Sequence, residues 1–203
     1  MYTVSDDILA TSFFRYLSLS VGNTTIISSR LVPSDLLTDP GFICMEGVKV
    51  HEFYHNINGS ECTGQSPFEI WLNEAVTVHI QRQRESVLFG HDFMRLKEVI
   101  YSFMPGAGPL AVDRSTNSMA IEPEGFNRSQ ELVSAMTYSK APEFVRMVEL
   151  ILGTPQFNRA LDHYHTTFKY SNAKTSDWIN SMEKFNNSGT SIIEMADGWL
   201  KVS

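Results

Sequence analysis

Apolar residues recur at three- and four-residue spacing over most of the chain, which predicts a mainly helical protein. The clearest case is residues 68–84, where Ile70, Trp71, Ala75 and Val78 share a face. A second helix is expected over residues 43–58, with Ile43, Val48, Val50, Phe53 and Tyr54 as its core contacts. Residues 93–104 form another. Thr154-Pro155 reads as an N-cap followed by proline at the first helical position. Thr175 is expected to cap a short helix to about residue 185, and Thr190 a last one to about residue 199. Ahead of these, Thr24 to Val32 is rich in β-branched residues and reads as a strand. Residues 6–20 show no clean period. Pro33, Ser34, Asp35, Asp39, Pro40 and Gly41 carry turn chemistry and predict a loop. Residues 105–128 form a long connection with glycine and proline, of a kind often functional in compact domains. The fold class is therefore mainly α, with an α+β element. One domain is expected, with a strand-and-loop lobe over residues 1–42 and a helical lobe over residues 43–203.

Composition narrows the field. The chain has 203 residues and 42% hydrophobic content, enough for a real core. A net charge of −7 argues against nucleic acid and acidic membranes as partners. No apolar run approaches the roughly 20 residues that span a bilayer. No basic region followed by an apolar core opens the chain, so a cytoplasmic location is expected. The two cysteines, Cys44 and Cys62, do not by themselves imply a disulfide. Sequons at Asn23, Asn58, Asn127 and Asn186 matter only in a secreted protein.

Chemistry concentrates in one stretch. His51-Glu52-Phe53-Tyr54-His55 is followed, eighteen residues after His55, by Glu74. On a helix, positions i and i+4 share a face, so His51 and His55 project side by side. Two imidazoles so placed can grip one zinc ion, with Glu74 as a third ligand from the next helix. A carboxylate on a half-buried helix face is costly unless paired or bound to metal, which favours that role for Glu74. Three protein ligands leave a position open, the mark of a catalytic zinc. Glu52 is badly placed to ligate but well placed as general base for a zinc-activated water. His163 and His165, two apart, point to different faces and read as surface or capping groups.

The run Val48-Lys49-Val50-His51-Glu52-Phe53-Tyr54-His55-Asn56, with Leu72-Asn73-Glu74-Ala75, resembles the zinc aminopeptidases of the aminopeptidase N type, of the gluzincin class. Tyr138-Ser139-Lys140, Val145-Arg146-Met147, Leu152-Gly153, Asn172-Ala173-Lys174-Thr175 and the closing Met195 to Trp199 agree with that family. Ser12-Phe13-Phe14 through Ser29-Arg30-Leu31-Val32 fits more loosely. The resemblance implies a thermolysin-like catalytic domain, one zinc per chain on His51, His55 and Glu74, Glu52 as catalytic base, and peptide substrates. It also implies that Tyr138 donates a hydrogen bond to the oxyanion of the tetrahedral intermediate.

Three departures bear on function. The family's Gly-Ala-Met-Glu-Asn motif, whose Glu grips the substrate amine, should fall on Leu17-Ser18-Leu19-Ser20-Val21. Glu61 and Glu69 are the nearby carboxylates that could stand in for that anchor. Second, the Gly-Ala after the family's Tyr-x-Lys is Ala141-Pro142 here, which predicts a kink or a helix start near Pro142 and a displaced Tyr138. Third, the family's large β domain and C-terminal helical domain are not found in these 203 residues, which leaves two expectations open: a portion of a larger protein with flanking domains, or a reduced relative. The leading expectation is a zinc metallopeptidase of aminopeptidase type. The alternatives are a zinc-binding module with little catalysis and a helical protein with no metal.

Overall fold

The computed structural model describes residues 2–5, 18–21, 24–28, 31, 35–106, 108–115 and 118–202. Leu17, Ser29, Arg30 and Val32, with most of residues 6–20, lie outside these. Three short strands come first: β1 (Tyr2–Ser5), β2 (Ser18–Val21) and β3 (Thr24–Ser28). β3 is central, parallel to β1 and antiparallel to β2 with Ser20 opposite Thr25. Of the β-branched run read as a strand to residue 32, the described residues pair as far as Ser28, and residues 29, 30 and 32 lie outside the described set. β2 and β3 lie against the first helix.

That helix, α1, spans Asp39–Tyr54 and starts earlier than its apolar pattern predicts. Asp39 and Pro40 open it rather than closing a loop. Proline lacks an N–H that the first turn would leave unpaired, and an acidic residue complements the helix dipole there. The helix also stops sooner, because the amides of Ile57 and Asn58 both turn back onto the Tyr54 carbonyl. Of its expected core contacts, Tyr54 packs against the core and Ile43, Val48 and Val50 are half-buried, but Phe53 needs correction. Met45, Gly47 and Glu52 are the buried residues of α1, whereas Phe53 is 65% exposed.

Ser66 and Glu69 cap each other around a single turn, which leads into α2 (Ile70–Phe89). α2 outruns its expected end at residue 84 and stops at Gly90, where φ is 96°. It is the central helix. Trp71, Leu72, Ala75, Val76 and Val78 are all buried. Trp71 packs edge-on against Phe144 and Trp178 at 6.0 and 5.9 Å, and its indole N–H donates to Thr175 Oγ1 at 3.0 Å. α3 (His91–Ser102) and the five-residue α4 (Pro109–Asp113) follow, the latter inside the long connection. Met136–Lys140 forms a π-turn leading into α5 (Ala141–Leu152). α6 (Thr154–Thr167), α7 (Thr175–Glu183) and α8 (Ile192–Leu200) complete the helical layer.

Three cap expectations each shift by one residue. Gly153, with φ 75°, precedes α6, and Lys174 precedes α7. Ser191, not Thr190, caps α8 by accepting from the Glu194 amide at 3.2 Å. β4 (Cys62–Gly64) and β5 (Ser171–Ala173) pair in parallel and tie the segment after α1 to the segment after α6. Cys44 and Cys62 are free thiols, the first exposed and the second buried. Among the described residues no helix is long and apolar enough to cross a membrane.

Candidate active site

α1 presents His51 and His55 one turn apart, their rings edge-to-face with centroids 4.5 Å apart. α2 crosses α1 so that Glu74, in its second turn, meets both. Glu74 Oε2 lies 3.1 Å from His51 Nε2 and 3.4 Å from His55 Nε2, and the two Nε2 atoms are 2.9 Å apart. Tetrahedral zinc with bonds of ~2.0–2.1 Å sets neighbouring donors ~3.3 Å apart, so this triangle has the dimensions of a zinc site. The donor chemistry agrees. Each imidazole gives its Nδ1 hydrogen to an acceptor elsewhere, which aims both Nε2 lone pairs at the Glu74 oxygen. Two lone pairs and a carboxylate at this range repel unless a cation or proton lies among them.

The acceptors behind the histidines matter as much as the histidines. His55 Nδ1 donates to the Asn58 backbone carbonyl at 2.9 Å. His51 Nδ1 donates to Gln81 Oε1 at 3.1 Å, and Gln81 Nε2 donates in turn to Glu85 Oε1 at 2.8 Å. Such outer partners fix tautomer and ring orientation at metal sites. Glu85 is buried, and that burial raises its pKa despite the Gln81 hydrogen bond. The pair fits because residue 47, one turn before His51, is glycine. A Cβ there would fall 2.0 Å from Glu85 Oε1.

Electrostatics follow from these contacts. Burial raises Glu74, but with a proton on the imidazole Nε2 atoms, hydrogen bonds from His51 and His55 outweigh it and hold the carboxyl down to about 2. Burial lowers His55, and the Glu74 hydrogen bond and charge more than reverse this, leaving its pKa raised. Glu52 is 4% exposed and close enough to His55 to contribute to that rise. Tyr138 stands on the π-turn beside His51. Its ring stacks with that of His51, centroids 6.2 Å apart and planes 27° from parallel. The fold therefore brings together His51, His55 and Glu74, with Tyr138 beside His51 and Glu52 on the buried side of the same helix.

Pro142 has the consequence its chemistry demands, since α5 begins at Ala141 with the proline in its first turn. Tyr138 stays against His51 nonetheless. The two candidate stand-ins for the amine anchor are engaged elsewhere. Glu69 caps Ser66 through both its amide and hydroxyl, and Glu61 pairs with Lys169 at 3.2 Å. Ser20 sits on β2, and Leu17 lies outside the described residues.

Asn58, Gln81 and Gly47 were not singled out by the site pattern. Gln81 had a signal, because it stands two turns beyond Glu74 on the same face of α2. Asn58 had only a sequon, which the structure makes an unsuitable glycan acceptor. It is 1% exposed, and its amide donates to the Leu72 and Asn73 carbonyls at 3.0 and 2.9 Å and to Thr77 Oγ1 at 3.2 Å. It thus joins the end of α1 to the start of α2. His165 is not a surface group either. It is half-buried, with Nε2 3.3 Å from Asn58 Oδ1, and burial lowers its pKa to about 4. His163 does reach solvent, beside Lys184.

Known proteins resemble this chain in sequence and in fold. The chain matches the Peptidase family M1 domain over residues 7–199. It is 28% identical over 163 residues to aminopeptidase N of Caulobacter vibrioides, covering 77% of this chain and 18% of that protein. It is 26% identical over 206 residues to aminopeptidase N of Escherichia coli, covering 95% of this chain and 23% of that protein. The crystal structure of Legionella pneumophila aminopeptidase A in complex with aspartic acid superposes with a TM-score of 0.77 at 19% identity. That superposition covers 93% of this chain and 20% of the Legionella chain, and shows a shared fold. The chain spans about a fifth of the length of these relatives.

Proposed function

The chain belongs to the peptidase M1 family, and from that premise we propose that it is the catalytic portion of a zinc-dependent metallopeptidase of aminopeptidase type. The observation that carries this reading is the convergence of His51 Nε2, His55 Nε2 and a Glu74 carboxylate oxygen within 4.8 Å of one another. Zinc held there would polarise a scissile carbonyl and lower the pKa of water at the site. Glu52, buried beside the histidines, accepts the proton of the attacking water and returns it to the leaving amine. Tyr138 donates its phenolic hydrogen to the oxygen that gains negative charge as the carbonyl becomes tetrahedral. A preorganised donor of that kind stabilises the transition state by ~3 kcal/mol. Gln81 and the Asn58 carbonyl hold the imidazoles in the ligating tautomer throughout.

Substrates on this reading are peptides, cleaved at or near the N-terminus. Ser20, where the family carries its amine-gripping carboxylate, supports weaker selection for a free N-terminus, since a hydroxyl offers a hydrogen bond without charge. It is also the observation that favours the second reading, a zinc-binding module with little catalysis. One experiment separates the two. Zinc content is measured after dialysis, and kcat/KM is measured on matched free and N-acetylated peptides with and without chelator. One zinc per chain, chelator-sensitive hydrolysis and a preference below about a hundredfold for the free amine, roughly 2.7 kcal/mol, are expected. Bound zinc without hydrolysis of either peptide would leave the binding module. Zinc content unchanged on replacing His51, His55 and Glu74 together would overturn both.

A further inference from the structure

Lys140 stands two residues beyond Tyr138, at the end of the π-turn, and is only 7% exposed. A lysine that deep carries its charge only when paired. Its ammonium donates to Asp113 Oδ1 at 2.9 Å and to the Val202 carbonyl at 3.1 Å. Asp113 ends α4 in the long connection, and Val202 follows α8. Three segments remote in sequence thus meet at one nitrogen atom directly beneath the turn that carries Tyr138.

The turn needs such a tie. Pro142 has no N–H to give the Tyr138 carbonyl, and its ring would clash with that carbonyl in a regular α-helix. The backbone widens instead, with the Ala141 amide bonding to the Met136 carbonyl five residues back. A π-turn is a rare register, found mostly at functional sites. On its N-terminal side the turn is held by Thr137 Oγ1, which donates to the Leu132 carbonyl, and by Ser134 Oγ, which accepts from the Met136 amide at 3.2 Å. On its C-terminal side the side-chain tie is Lys140. Residues two apart on a helical turn do not face each other, so Lys140 points away while Tyr138 lies against His51.

We infer that Lys140 is a positioning residue for this site: its bonds to Asp113 and the Val202 carbonyl hold the π-turn in the register that sets the Tyr138 hydroxyl. The inference rests on the reading of Tyr138 as the oxyanion donor. Lys140 acts through the turn and does not touch substrate.

The test is a double-mutant cycle on the full chain, Lys140→Met in the wild-type and Tyr138→Phe backgrounds, with Lys140→Arg alongside. In the wild-type background kcat falls by about ten- to hundredfold, the size expected of a catalytic group displaced by ~1 Å. KM and zinc content stay as they were. In the Tyr138→Phe background the same change alters kcat by less than about twofold, because the group being positioned is already gone. Lys140→Arg restores most of kcat. Amide hydrogen exchange on the same proteins needs no catalysis. It should rise at residues 136–141 and stay unchanged at residues 51–55. Equal losses of kcat in both backgrounds would overturn the inference, as would unchanged exchange at the turn. Should the wild type hydrolyse no peptide, the functional reading fails while the exchange data still decide the tie. If Lys140→Met does not fold, Asp113→Asn removes the same bond from the other side and is judged by the same readouts.

Discussion

Gly47→Ala looks harmless on a helix and is expected to weaken the zinc site. Alanine is favoured over glycine in a helix interior by roughly 1 kcal/mol. Against that gain stands a Cβ 2.0 Å from Glu85 Oε1 and 2.8 Å from Gln81 Nε2. Both are the far ends of flexible side chains, so α1 and α2 need not separate. The carboxylate and the amide swing away instead, and their mutual hydrogen bond is lost at a cost of about 0.5–1.5 kcal/mol. The two effects nearly cancel in the stability of the metal-free protein. They do not cancel at His51, which loses the acceptor that fixes its ring. Removing an outer partner of a ligating histidine typically lowers metal affinity 10–100-fold, about 1.4–2.7 kcal/mol. Zinc affinity is read by competition with a chromophoric chelator, and stability by urea unfolding of chelated protein. Gln81→Leu should lower zinc affinity similarly, and the double variant should lose no more than Gln81→Leu alone. Unchanged zinc affinity in Gly47→Ala would refute the Gln81–Glu85 link. A large loss of metal-free stability would show that the helices moved apart instead.

Glu52→Gln should keep zinc and lower kcat by about 10²–10⁴-fold, since an amide cannot accept the proton of water. A loss below about tenfold in an otherwise active protein would remove Glu52 from the role of base. His165 sets a pH dependence. Its pKa falls from 6.5 unfolded to about 4 folded because it is buried. The neutral ring is kept in the fold and takes a proton on unfolding, so stability is lost as pH drops from 6.5 towards 4. The loss attributable to this group is about 2 kcal/mol at pH 5. In chelated protein, His165→Gln should flatten the fall in unfolding free energy between pH 7 and pH 5 by that amount, and parallel curves for the two proteins would exclude His165 as the source.

The His51, His55 and Glu74 cluster was legible because the relation between its members is local or nearly so. His51 and His55 sit one helical turn apart whatever the rest of the fold does, and the apolar spacing of Ile70, Trp71, Ala75 and Val78 marks the start of α2. What misled was the expectation that α1 buries Phe53. Its inner face carries Gly47, His51, Glu52 and His55, because that face is the site, and Phe53 is turned outward. A hydrophobic pattern read along such a helix is interrupted by the polar positions that face the site. Asn58 was illegible for a different reason. Its contact to His55 is a backbone carbonyl, which any residue type supplies, and its side chain acts only once α1 and α2 have met. Glu85 is similar, being an ordinary helix glutamate until Gly47 lets it into the interface.

Pro142 is where a local rule and the outcome pull furthest apart. Taken alone, a proline four residues after Tyr138 predicts a broken turn and a tyrosine out of place. The break occurs, but the wider register takes it up, and the Tyr138 ring still stacks with His51. Such a compromise is stable only if the surroundings over-determine it. Those surroundings lie close by at Leu132 and far off in the chain at Asp113 and Val202, all bound by hydrogen bonds from the turn's own side chains. Replacing Pro142 with alanine would restore the missing donor and allow a regular helix through residue 138. The proline and the Lys140 ties therefore act together: one forces the turn out of α register, and the others select which wider conformation it adopts.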